Sequence, residues 1–385
     1  QARNRGEQNG PEMVGVRANA QGLDLNRDYV KAEAPETRAS LALLARWNPD
    51  VWVDLHTTNG SYHGYALTYS PSLNPASGAA GALTRDVLLP ELRRRMRERH
   101  RSETFDYGNF AQEYGADVNT DTVRQGWFSY DHRPRFGSNY VGLRGRVSIL
   151  SEAFSHDPFA RRVASTRAYV REILSLAAER APDLAALRAA DPIRELHGGV
   201  PIRSTLTRSP FVGEVIAEEL AADPDSLPDE PGVHRGIRRT GRFRTLRIPV
   251  YDRFDAVLTR TPPAAYLLAL ADTAAVRVLR LHGVRVEQLA APLSAVAEVF
   301  VADSVIRAAR PFQGHRETRL AGRWRAVERT FPAGTHRVPT AQPLGVLATY
   351  LLEPESDDGL VTWNVLGAAL QPGGEFTVLR IPNPR

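Results

Sequence analysis

Short apolar strands and amphipathic helices alternate through the first half of the chain. That alternation constrains the fold more than any other feature. A helix is predicted over Pro35–Trp47, with Pro35 in its first turn, where a missing N–H is tolerated. Val51-Trp-Val-Asp-Leu55 follows as a strand with His56 at its carboxyl end. A second strand is expected over Gly64–Tyr69. Residues 70–82, rich in Pro, Ser, Gly and Ala, read as a loop, and Arg85–His100 reads as a strongly charged helix. Arg146-Val-Ser-Ile-Leu150 is a further strand, ending at Ser151-Glu152. Asp157-Pro158 then opens a helix as cap and first residue, with Phe159, Val163, Val170, Ile173, Leu174 and Ala177 at helical spacing. The fold class is therefore α/β.

The character changes near residues 180–200. Beyond them come short apolar segments broken by Pro and Gly, such as Leu246–Val250, Ala265–Leu270 and Leu347–Leu352. At 385 residues the chain is long for one domain. Two are expected: an α/β domain over 1–195 and a β-rich or mixed accessory domain over 200–385.

In an open α/β sheet, ligands bind beyond the carboxyl ends of strands. Two strands here end on residues suited to chemistry. His56, in Val-Asp54-Leu-His56-Thr-Thr-Asn59, offers a neutral ring nitrogen to a metal. Glu152 follows an apolar strand, where desolvation raises a carboxyl pKa toward that of a useful general base. Taken singly, each has an ordinary explanation: a structural histidine, a solvated strand terminus. A third element tips the balance. The stretch Arg17-Ala-Asn-Ala-Gln-Gly22-Leu-Asp24-Leu-Asn26-Arg27-Asp28 resembles the signature of zinc metallocarboxypeptidases of the carboxypeptidase A type. There, Arg-x-Asn-x-x-Gly-x-Asp-x-Asn-Arg precedes a helix, a strand ending in Asp-x-His and a later strand ending in Glu, the order found here.

The resemblance covers roughly residues 1–178 and implies a mixed sheet with helices on both faces. It implies hydrolysis of the C-terminal bond of a peptide or peptide-like substrate. His56 then corresponds to the third zinc ligand. Asn26 and Arg27 correspond to the pair that grips the terminal carboxylate, a task suited to the planar guanidinium fork. Arg17 corresponds to the arginine that polarises the scissile carbonyl. Glu152 corresponds to the base that takes a proton from water and passes it to the leaving amine. Asp24 corresponds to a carboxylate that orients a zinc histidine. Two tyrosines, Tyr130 and Tyr140, compete for the place of the mobile tyrosine over the substrate. Arg144 and Arg146 read as solvated arginines, with assistance to an acidic substrate group as the alternative. The selectivity pocket is expected within 120–145.

A catalytic zinc needs about three protein ligands, and the family takes the first two from a His-x-x-Glu motif upstream of the Asn-Arg pair. The chain has no histidine before Arg17. Its one His-x-x-Glu, His100-Arg-Ser-Glu103, falls after His56 in a charged helix tail and reads as a solvated helix face. The expectation is therefore an N-terminally truncated chain with an incomplete zinc site. Alternatives to the carboxypeptidase are an amidohydrolase of the same superfamily, acting on cell-wall peptides or acylated amino acids, and a non-catalytic carboxylate-binding protein.

Composition trims other classes. The net charge is +5, but Lys31 is the only lysine and most arginines sit near Asp or Glu. No stretch interleaves basic and aromatic residues, which argues against a nucleic-acid surface. The absence of cysteine excludes thiolate metal sites and disulfides. No apolar run reaches the ~20 residues of a membrane span. A periplasmic or secreted location is expected, with no signal peptide visible after Gln1. The C-terminal region resembles accessory domains of some bacterial metallocarboxypeptidases. Its acidic Leu352-Glu-Pro-Glu-Ser-Asp-Asp-Gly359 reads as a solvated turn, with calcium binding as the weaker option.

Overall fold

The computed structural model describes residues 2–3, 13–58, 61–110, 125–190, 199–223 and 236–383. Asn59, part of the 120–145 range and His197-Gly198 lie outside them. In chain order the main elements are α1 (Pro35–Trp47), β1 (Val51–Thr57), β2 (Leu67–Pro71), α2 (Gly78–Leu83), α3 (Leu89–His100), β3 (Thr104–Asp106), α4 (Gly137–Leu143), β4 (Val147–Ala153), α5 (Phe159–Glu179) and α6 (Ala181–Ala189). There follow β5 (Val200–Thr207), β6 (Val212–Asp223), β7 (Gly236–Tyr251), β8 (Arg253–Arg260), β9 (Ala265–Leu268), α7 (Thr273–Leu281), β10 (Leu293–Arg307), β11 (Thr318–Phe331), β12 (His336–Pro339), α8 (Gly345–Leu352) and β13 (Glu375–Ile381). The fold is mixed α/β in its first half and β-rich in its second. No helix among the described residues is long and apolar enough to cross a membrane.

A four-stranded sheet in the order β1-β4-β2-β3 organises the first half. β1 and β4 are parallel, while β2 runs against β4. Side chains alternate across β4. Val147 and Ile149 point to one face, where they join Leu89, Leu92 and Met96 of α3 and Tyr169, Ile173 and Leu176 of α5 in one core. Glu152 belongs to the opposite face, the side of α4. All seven residues of β4 are buried, so whatever Glu152 does, it does without bulk water.

The second half is built on a six-stranded antiparallel sheet that contains β12, β9, β13, β10 and β11 in that order. It is not set apart from the first half. The largest core mixes Val30, Leu41, Tyr140 and Val141 with Tyr266, Phe300, Leu351 and Trp363. The β6–β7 hairpin also reaches across. Gly64 N–H donates to Ile216 O at 2.9 Å, and β7 pairs in parallel with Trp127–Phe128.

Four local expectations need correction. The segment 70–82 is not all loop: Asn74 caps a one-turn 3-10 helix at Pro75–Ser77, and α2 follows. Small residues permit this packing, since a Cβ at Gly142 of α4 would meet Ser72 and Ser77 at 2.2 and 2.6 Å. In α5 the buried stripe is Ser165, Tyr169, Glu172, Ile173 and Leu176. Phe159, Val163 and Leu174 are exposed instead. Glu172, the charged member of that stripe, is satisfied by ion pairs: it accepts from Arg99 and faces His100 Nε2, both at 2.9 Å. His100 thus serves a helix–helix contact. Asp157 makes no side-chain cap to α5 and faces Arg161 at 3.3 Å.

The acidic 352–359 segment is neither a solvated turn nor a calcium loop. Glu353 and Asp358 are fully buried, and each meets an arginine, Arg380 and Arg135 respectively. Glu355 takes Arg260, and Asp357 takes His132 and Tyr350. The carboxylates are spent on holding neighbouring strands and loops in place.

Candidate active site

The signature loop is pinned by one carboxylate. Asp24 caps the short turn Leu25–Arg27, accepting from Asn26 N–H at 3.0 Å through one oxygen. Its other oxygen accepts from Arg17 Nε at 2.7 Å. Both oxygens are thereby engaged, and no histidine is among its hydrogen-bond partners in the described residues. Asn26 is fixed from the far side, where its Oδ1 accepts from Gly137 N–H at 2.9 Å. That bond fixes which way the amide oxygen faces.

Arg27 stacks on Phe136, with the guanidinium carbon 3.9 Å from the ring centroid, and donates to Asn26 O at 2.7 Å. Among the described residues no carboxylate lies within ion-pairing distance of it. Burial lowers its pKa, Asp24 opposes that shift, and Arg17 and Arg135 reinforce it. A part-buried, stacked and unpaired guanidinium is a poor stability device and a good oxyanion receptor.

His56 and Glu152 come together through sheet register. The parallel pairing of β1 with β4 sets His56 directly opposite Glu152. Thr68 of β2 is opposite Glu152 on its other side. Asp54, two residues before His56 and so on the same face, holds His56 Nε2 at 2.9 Å through Oδ1. Burial works against the imidazolium, but the Asp54 bond and charge, with help from Glu152, leave the His56 pKa raised. Glu152 is 6% exposed, and its Oε2 has no hydrogen-bond partner. Burial pushes its pKa up to about 8; His56 opposes this, Asp54 adds to it and Arg17 opposes it. Arg17, Asp54, His56 and Glu152 are thus one electrostatic unit.

Tyr130 and Tyr140 differ in place. Tyr130 shares its hydroxyl with Ser138 Oγ at 2.9 Å and packs edge-on to Phe136, the ring beneath Arg27. Burial raises its pKa, and Asp54 and Glu152 contribute, which puts it at the same site. Tyr140 is fully buried, bonded to His282 Nδ1 at 2.9 Å and to Arg144 at 3.1 Å. Arg144 is itself buried, contrary to its expected solvation.

Sequence reasoning did not single out Phe136 or Gly137. A Cβ on Gly137 would stand 2.9 Å from Tyr29 Cε2 and 3.3 Å from Asp54 Oδ2. Gly137→Ala is therefore expected to dislodge the bond to Asn26 and to destabilise the fold by about 1–2 kcal/mol. A denaturant melt checks this, and wild-type stability in the variant would refute it.

The resemblance implies zinc. Among the described residues no group of three His, Asp or Glu side chains is arranged to hold a metal ion. His56 is the imidazole that strand register sets opposite Glu152, and its Nε2 already bonds Asp54. The donor set among the described residues does not fit a catalytic zinc.

Comparison with known proteins bears on the chain as a whole. The chain is 24% identical to a protein named Carboxypeptidase 2 from Trichophyton tonsurans. It is 23% and 22% identical to proteins of the same name from Trichophyton equinum and Trichophyton rubrum. Each alignment covers 94% of this chain but 65% of the relative, so the chain spans about two thirds of their length. No family model matches the chain, and no solved structure does. The chain is thus a distant relative of fungal proteins named Carboxypeptidase 2, similar to them over nearly its whole length.

Proposed function

We propose that this chain carries the substrate-gripping and proton-carrying part of a carboxypeptidase-type hydrolase. The observation that carries the reading is Arg27: an unpaired guanidinium stacked on Phe136, beside Asn26 and near Arg17, whose charge also acts on Glu152. Arg27 and the Asn26 amide hold the C-terminal carboxylate of a peptide. Arg17, kept in place by Asp24, faces the scissile carbonyl and stabilises its oxygen as charge develops. Glu152 moves the proton from water to the leaving amine. Tyr130 is the tyrosine that closes over the substrate. Zinc, an expectation of the resemblance, has one candidate ligand here in His56. An extracytoplasmic place of action, in keeping with a cysteine-free chain, belongs to the same proposal.

A test compares a short peptide bearing a free C-terminal carboxylate with its C-terminal amide. The carboxylate form is expected to bind at least about tenfold more tightly, and Arg27→Met to erase the difference. Equal affinity for both peptides in the unaltered chain would defeat the proposal. The incomplete donor set also favours a second reading, a carboxylate-binding protein without turnover. Glu152→Gln separates the two: it stops cleavage in a hydrolase and leaves a pure binder unchanged.

A further inference from the structure

A second site lies at the end of the sheet remote from Glu152. A cavity of about 430 Å3 opens where the first turn of α2, the residues between α4 and β4, the end of α6 and the segment before α8 meet. Three guanidinium groups line it, from Arg144, Arg146 and Arg188, and none of the described lining residues is an aspartate or glutamate. Arg144 is 8% exposed, yet its hydrogen bonds go to neutral groups, Tyr140 Oη at 3.1 Å and His282 O at 2.8 Å. Among the described residues Arg146 likewise bonds only neutral groups, Asn48 Oδ1 at 3.1 Å and Gly145 O at 3.2 Å. Arg188 alone has a carboxylate, Asp50 at 3.0 Å. The three cations crowd one another: burial lowers the Arg146 pKa, Asp50 opposes that, and Arg144 and Arg188 lower it further.

Two other large clefts carry carboxylates among their lining residues. There Arg85 is paired with Asp86, and Arg253 faces Asp252. Arg85 and Arg253 each have a carboxylate within their cleft, whereas the three arginines here share one, Asp50, that lies outside the cavity. Cations removed from water are ordinarily paired or ligand-bound. Guanidinium forks match oxyanions in shape as well as charge.

We propose that this cavity binds a small oxyanion-bearing molecule, with phosphate or carboxylate groups held by Arg144, Arg146 and Arg188. Its volume suits a small metabolite rather than a chain. Because Arg144 also grips the second half through His282 O, the ligand fastens both halves of the molecule together. The site is independent of the peptidase reading.

Thermal unfolding of the 385-residue chain in sodium phosphate, in citrate, and in sodium chloride of equal ionic strength tests this. Phosphate or citrate is expected to raise the midpoint saturably by about 2–4 °C over chloride. Success of phosphate alone or citrate alone identifies which oxyanion is held. Arg188→Met, at a side chain 56% exposed and so safe to replace, is expected to weaken the response about tenfold. Arg27→Met, at the opposite end of the sheet, is expected to leave it intact. No rise over chloride overturns the proposal, as does a rise that Arg27→Met abolishes and Arg188→Met spares.

Discussion

Arg135→Met is expected to destabilise the protein by about 3–5 kcal/mol, the range for a buried charge deprived of its partner. Arg135 donates to Asp358 Oδ1 from Nε at 3.0 Å and from Nη2 at 2.7 Å, and its backbone N–H takes Oδ2 at 2.7 Å. Its Nη1 donates to Glu317 at 2.6 Å, and the guanidinium lies over Trp363. Asp358 is fully buried, and burial already lifts its pKa to about 6 despite Arg135. Without the arginine that carboxyl moves higher still. A raised acid pKa gives stability that is present at low pH and lost as pH climbs. The deficit of the variant is therefore larger at about pH 8 than at about pH 5.5. Urea melts at both conditions check this. The double variant with Asp358→Asn is expected to lose less than the sum of the single losses. A deficit that ignores pH would reduce the effect to lost packing.

Glu152→Gln is expected to do the reverse and stabilise the fold while removing the proton carrier. The folded-state pKa of Glu152 is about 8 against an ordinary 4.5. The fold therefore prefers the protonated acid. Its contribution is full below about pH 4.5 and is lost as pH rises through about 8. An amide cannot ionise, so the variant matches the parent in acid and gains on it in base. The gain is about 2–4 kcal/mol near pH 9, below the full linkage value because water relaxes around a buried charge. Denaturant melts across pH, with chelator present, measure it. A variant less stable at every pH would make Glu152 a structural residue. Residues that weaken the fold they sit in are commonly retained for function.

How far the sequence revealed this molecule depended on the range of the interaction. α1 was readable to the residue, because Pro35 begins it and Leu41 and Leu44 repeat at helical spacing. Asp24, Asn26 and Arg27 lie within one short loop, so their association was visible in the motif. The opposition of His56 and Glu152 depends on strand register across nearly a hundred residues, which spacing cannot supply. Phe136 and Gly137 were hidden for the same reason: each matters for what approaches it from the signature loop. The α5 helix was legible in its apolar spacing, but its buried face was not, because apolar periodicity cannot anticipate that Glu172 is buried against Arg99 and His100. The acidic segment after α8 was misread likewise, since its arginine partners come from distant strands.

The placing of β13 has a consequence for how the molecule is made. This strand, the last of its sheet in sequence, lies between β9 and β10, which precede it. Until residues 375–381 leave the ribosome, the sheet exists as two pieces with facing, unsatisfied edges. Each edge is a site for mispairing with another nascent chain. Synthesis of this half is therefore a period of exposure that ends only when its final strand slots home. A chaperone that holds those edges apart would raise the yield of folded protein without adding anything to its final stability.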